Sequence, residues 1–114
     1  MAANPLSSQP ILTIDPPVYN GGTVTLVCRG RLTADTSNLF KSEVKRLAPG
    51  HQYIMADLSG VDFVDSCGLG DVVSAYASAK SAGCELRLVK VHPRVSDLLN
   101  ITRLTSVFDG RVGP

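Results

Sequence analysis

A strand that leads almost directly into a helix is the feature that most constrains the fold of this chain. Residues 53–58 form a nearly unbroken apolar run, which predicts a strand at the centre of a sheet, buried on both faces. A second apolar stretch, residues 61–64, follows it. Leu69, Val72 and Tyr76 then recur at helical spacing. The chain is therefore predicted to contain a βα unit in which few residues separate the strand from the helix.

The segments around this unit predict further alternating elements. Their apolar periodicity and turn residues indicate strands at residues 11–14, 23–28 and 85–89. Capping residue types within residues 30–37, Ser37 among them, predict a helix that runs to about residue 47, with Phe40, Val44 and Leu47 on one apolar stripe, and a last helix is predicted from Pro93 onward. The first two strands are expected to be antiparallel, and residues 107–108 could add a short edge strand. We expect an α/β fold, with a mixed sheet of four to five strands covered by three to four helices. Residues 11–114 would form one domain behind a flexible arm, residues 1–10.

Composition narrows the class of function. The 114 residues carry a net charge of +1, from eleven basic and ten acidic side chains, which argues against a nucleic-acid binder. No apolar run approaches the roughly 20 residues that cross a bilayer, and the first residues do not resemble a secretory signal. The odd number of cysteines, three, without metal-ligand spacing fits reduced thiols. We therefore expect a cytoplasmic protein that binds neither membranes nor nucleic acid.

Residues 65–70, Asp-Ser-Cys-Gly-Leu-Gly, lie where the strand ends and the helix begins. The first backbone N–H groups of a helix lack internal partners and favour an anion. Ser66 could therefore act in either of two ways: its hydroxyl could cap the helix, or a phosphate on it could serve as a switch.

Enzyme chemistry has little support in the sequence. His51 and His92 fall in predicted connections, away from any obvious nucleophile, and no phosphate loop or dinucleotide fingerprint is present. The three acids Asp57, Asp62 and Asp65 could form a metal cluster, although acids at strand ends commonly serve as caps or are solvated. A small metal or thiol enzyme using Asp57, Asp65 and Cys67 stays an alternative without an evident general base. We expect no catalytic residue, no cofactor and no metal.

The motif, in this order of elements, resembles the serine signature of STAS domains, specifically those of bacterial anti-sigma factor antagonists. The resemblance covers nearly the whole chain. It includes the Gly30-Arg31-Leu32 step, the residues 61–64 that approach the serine, the strand at residues 84–89 and the final helix.

The resemblance implies a binding module that is not an enzyme and regulates transcription. Such proteins bind an anti-sigma factor that is also a serine kinase, and so release a sigma factor. The kinase would phosphorylate Ser66 and abolish binding, and a phosphatase would reverse this. The partner surface would comprise the motif and the loop after the second strand, namely Thr33, Asp35, Asp65, Ser66, Cys67, Gly68 and Leu69.

Two positions depart from the family pattern. Many members carry a second hydroxyl residue where this chain has Cys67, which could be redox-sensitive or simply fill a small-residue position. Phosphorylated members often have an aspartate where Thr33 stands, and Asp35 follows two residues later. A second interpretation keeps the fold and changes the role, to a docking subunit of a stress-signalling assembly or a lipid-transport ATPase that is not phosphorylated.

Overall fold

The structure is a computed structural model, and it describes residues 11–103. Within that range the chain forms five strands and three helices, consistent with the predicted α/β class. In chain order these are β1 (Leu12–Ile14), β2 (Val18–Asn20), β3 (Thr23–Leu32), α1 (Ser37–Leu47), β4 (Tyr53–Val64), α2 (Ser66–Ser81), β5 (Glu85–Val89) and α3 (Pro93–Ile101). The predicted arm at residues 1–10 and edge strand at residues 107–108 lie outside the described residues.

The sheet is mixed, as predicted, with the order β1-β3-β4-β5. Strands β3, β4 and β5 are parallel, whereas β1 and β2 both pair with β3 in the antiparallel direction. The carboxyl ends of the parallel strands therefore meet at one edge of the sheet. The segment that contains Ser66 follows β4 at this edge, which is where open α/β sheets place their binding sites.

Alternation along the parallel strands builds the core. Val24, Ile54 and Leu86 are neighbours across the three strands, and Leu26, Ala56 and Leu88 form the next row. All six are almost completely buried. Helix α1 buries Phe40, Val44 and Leu47, the stripe predicted from sequence. Helix α2 buries Val72, Ala75, Tyr76 and Ala79.

The helix ends follow simple local chemistry. Pro93 occupies the start of α3, where its missing N–H costs no hydrogen bond, and the ring of His92 accepts a bond from the Arg94 N–H. Gly83 takes a positive φ of 82° just after α2, as expected for a residue that ends a helix. No described helix combines the length and apolarity needed to cross a bilayer.

Two expectations about the strands need correction. Strand β2 was not predicted, because its three residues are all exposed and only pairing with β3 makes them a strand. Strands β3 and β4 are also longer than predicted, reaching Leu32 and Val64 respectively. The segment expected to contain the α1 cap thus begins within β3. Strand β4 runs directly to Asp65, and irregular pairing with β3 interrupts its alternation.

The buried thiol of Cys28 generates a prediction about pH. Burial, with the nearby charges of Asp57 and Asp15, raises the pKa of Cys28 to about 12 from an ordinary value of 9.0. Above pH 9 the unfolded chain releases this proton while the folded chain retains it. The Cys28 contribution to stability is therefore complete below pH 9 and decreases as pH rises towards 12, by at most about 1.4 kcal/mol per pH unit.

Urea unfolding of the native protein and of Cys28→Ala, at pH values from 8 to 10.5, measures this effect. Cys28→Ala should be less stable at pH 8, because it leaves a small cavity, but its stability should fall less steeply above pH 9. Equal slopes for the two proteins would contradict the prediction.

Candidate functional site

Asp65 caps helix α2 and ties it to the end of β3. Its Oδ1 accepts a hydrogen bond of 2.7 Å from the Gly68 N–H, and its own N–H donates to the Leu32 carbonyl at 3.1 Å. Of the four N–H groups that a helix start leaves without intrahelical partners, these two are satisfied by the protein itself. The N–H groups of Ser66 and Cys67 are the remaining two.

The capping role proposed as one alternative for Ser66 is therefore wrong. Asp65 is the N-cap residue, and Ser66 is the first residue within α2. Ser66 is exposed, and its hydroxyl has no hydrogen-bond partner among residues 11–103. Because the Asp65 carboxylate caps the helix, the Ser66 side chain is left free at the surface.

The loop between β3 and α1 lies against this helix start. The second oxygen of Asp65, Oδ2, accepts a hydrogen bond of 3.2 Å from the Ala34 N–H. Within the loop, the Thr36 hydroxyl accepts from the Thr33 N–H at 2.9 Å and donates to the Arg31 carbonyl at 2.6 Å. The structure thus brings the predicted loop, with Thr33 half-buried and Asp35 exposed, next to the motif.

A second carboxylate links α2 to α1. Ser37, the first residue of α1, is completely buried, and its hydroxyl donates to Asp71 Oδ2 at 2.6 Å. Thr36, the residue at the cap of α1, makes no side-chain cap bond. The Asp71 carboxylate therefore supplies negative charge near the start of α1, where the helix dipole favours it. Sequence reasoning missed this pair, although Ser37 stood among the capping residues that it noted.

Gly68 is required by the contact between α2 and β3. A Cβ atom on Gly68 would lie 2.0 Å from the carbonyl oxygen of Leu32, far inside van der Waals contact. A Cβ on Gly70 would meet no atom within 4 Å. Packing within the described chain therefore requires glycine at position 68 but would accept a side chain at position 70.

The residues considered as metal ligands or catalytic groups do not form a common site. Asp57 accepts hydrogen bonds from the Ser59 N–H and hydroxyl, and residues 11–103 contain no cluster of three or more potential metal ligands. His51 is not a freely solvated ring: its Nδ1 lies 2.6 Å from the Leu47 carbonyl oxygen. Cys67 is exposed beside Ser66, whereas burial raises the pKa of the Cys84 thiol.

Comparison with known proteins found a matching family and similar proteins. A family model described as STAS domain matches residues 15–113. A Thermotoga neapolitana protein named as an anti-sigma factor antagonist and a homologue of TM1081 is 34% identical over 86 residues, covering 74% of this chain and 76% of that protein. The anti-sigma F factor antagonist of Paenibacillus polymyxa is 24% identical over 99 residues, covering 82% and 85%.

The fold is also found in solved structures. The crystal structure of an anti-sigma factor antagonist from Mycobacterium paratuberculosis aligns with a TM-score of 0.73 at 18% identity. The alignment covers 86% of this chain and 83% of that one. At this level of identity the match shows a shared fold.

The two glycines of the motif provide a matched pair of substitutions. Gly68→Ala should destabilise the fold by about 1–3 kcal/mol, because its methyl group would displace α2 from Leu32. Gly70→Ala should stabilise by up to about 1 kcal/mol, because alanine is the better helix former and the added methyl meets no atom. Urea unfolding of both variants checks the opposite signs, and equal effects would show that the contact with Leu32 does not constrain the helix.

Proposed function

The chain belongs to the STAS-domain family, and we propose that it acts in the bacterial cytoplasm as an anti-sigma factor antagonist. In this role it binds a cognate anti-sigma factor with serine kinase activity and so releases a sigma factor. The names of the two relatives described above support the general role. The protein would act by binding, with no catalytic residue and no cofactor of its own.

The observation that carries the proposal is the exposed hydroxyl of Ser66. Asp65 performs the capping of α2, so Ser66 contributes no side-chain hydrogen bond within the described chain. A kinase can therefore modify Ser66 without breaking a contact that holds the domain together. We propose that phosphorylation of Ser66 switches binding off, and that a separate phosphatase restores it.

The charges around Ser66 explain how a phosphate would act. The phosphate adds about −1.5 to −2 charges at neutral pH. Asp65 precedes it directly, and Asp62 and Asp35 are exposed on the neighbouring strand and loop. The unpaired N–H groups of Ser66 and Cys67 would favour the phosphate at the helix start, which leaves the fold unchanged. The phosphate would instead weaken the complex with the partner. Binding would have to remove water from the phosphate and bring the partner against the added negative charge.

The first test identifies the modified residue. Incubation of the protein with its cognate kinase and ATP should add one phosphate, mapped by mass spectrometry to Ser66. Ser66→Ala should abolish the modification, since the adjacent Cys67 cannot accept phosphate as a hydroxyl does. Phosphate on another residue, or none in the presence of a demonstrably active kinase, would contradict the proposal.

The second test concerns binding. Ser66→Asp should weaken the complex with the anti-sigma factor by about tenfold or more, because it adds negative charge at the interface, and Ser66→Ala should retain affinity. Ser81→Asp is the matched control, since Ser81 is exposed at the other end of α2, roughly 22 Å away. Calorimetry measures all four proteins. Equal affinities for Ser66→Asp and Ser81→Asp would rule out the charge switch.

The alternative role of a docking subunit without phosphorylation predicts different companions. Affinity purification from the source cell should recover a small ATP-binding kinase if the proposal holds. Recovery of a transporter or a large assembly instead would favour the alternative.

A further inference from the structure

Irregular pairing between β3 and β4 turns an aromatic side chain outward beside the motif. Gly30 pairs with Val61, but Arg31 pairs with Phe63, which leaves Asp62 as an extra residue on β4. In a regular strand, Phe63 would share the buried side of Val61, because alternate residues face the same way. With the bulge, Val64 takes the buried position and Phe63 is 44% exposed. Bulges commonly re-aim side chains next to functional sites.

A cation lies on the exposed ring. The guanidinium carbon of Arg31 is 5.0 Å from the centre of the Phe63 ring, within the range of a cation–π contact. No carboxylate within residues 11–103 forms an ion pair with Arg31, whereas Arg29, Arg46 and Arg87 each have one. The planar guanidinium therefore keeps donors available for a carboxylate from another molecule.

Backbone contacts place this pair next to the motif. Phe63 lies on β4, two residues before Asp65. Arg31 directly precedes Leu32, whose carbonyl accepts the Asp65 N–H, and the Arg31 carbonyl accepts the Thr36 hydroxyl. The pair thus adjoins both Ser66 and the loop that contains Asp35.

We propose that Phe63 and Arg31 form the anchor by which this protein holds its protein partner beside Ser66. The ring would fill an apolar pocket of the partner, and the guanidinium would pair with a partner carboxylate at the rim of that pocket. Aromatic and arginine side chains are the types that contribute most to binding at protein interfaces. The inference rests on the proposed function, since the partner is the anti-sigma factor that Ser66 controls.

Charge orients the partner on this surface. Arg31 is exposed at the end of β3, and two exposed acids lie on the adjoining segments: Asp35 in the loop after β3, and Asp62 directly before Phe63 on β4. A partner carboxylate would be repelled by these acids and attracted only at Arg31, which determines the orientation of the partner on the surface. A phosphate on Ser66 would raise the repulsion for that same partner carboxylate, so the anchor and the switch act on one interface.

Calorimetry with the unmodified protein and the purified anti-sigma factor tests the anchor. Phe63→Ala and Arg31→Gln should each weaken binding by about tenfold or more. The control for the ring is Tyr19→Ala, because Tyr19 is 56% exposed and its strand pairs with the opposite end of β3. The control for the charge is Lys45→Ala, in the last turn of α1. Both controls should change affinity by less than about twofold, as expected of positions outside the anchor.

The outcomes separate the anchor from the proposed function. A native protein that fails to bind the anti-sigma factor would contradict the proposed function itself. Native binding with unchanged affinity for Phe63→Ala and Arg31→Gln would overturn the anchor alone. Loss of self-association on Phe63→Ala, in an ultracentrifuge, would assign the patch to a second copy and also overturn it. Thermal unfolding verifies that each variant is folded, and Arg31→Gln provides an independent result if Phe63→Ala is not.

Discussion

The close approach between the end of β3 and the first turn of α2 is the contact on which the site depends. The carbonyl of Leu32 accepts the Asp65 N–H, and the same carbonyl lies where a side chain on Gly68 would have to go. Glycine is therefore imposed at this position by packing, and the helix start cannot move away from the sheet edge without losing the contact. The location of Ser66 at the surface follows from this geometry.

Two carboxylates join the beginnings of the two helices. Asp65 links α2 to the loop before α1, and Asp71 links α2 to the buried Ser37 at the start of α1. Both are charge-assisted hydrogen bonds, which are stronger than neutral ones. Because these residues hold the framework, Ser66 is left free for the proposed signalling role. A phosphate there would change the surface charge while the framework keeps its own hydrogen bonds.

The bulge in β4 connects the fold to the proposed partner surface. A regular strand would bury Phe63 and expose Val64, which would remove the aromatic ring from the surface next to Ser66. Because Asp62 is an extra residue between two paired positions, Phe63 faces outward and Val64 is buried instead. The same sheet edge thus holds the exposed hydroxyl of Ser66, a loop bound by Asp65 and an exposed ring with a cation above it.

The sequence by itself determined the elements whose signals are local. The apolar stripe of α1, the central strand from Tyr53 and the helix after the motif were all predicted, because helical and strand periodicities are encoded by near neighbours. The tertiary structure alone decided strand β2 and the outward turn of Phe63. It also paired Ser37 with Asp71, 34 positions apart. These features depend on register and packing between segments distant in sequence, and periodicity along one segment carries no information about which neighbour it will meet.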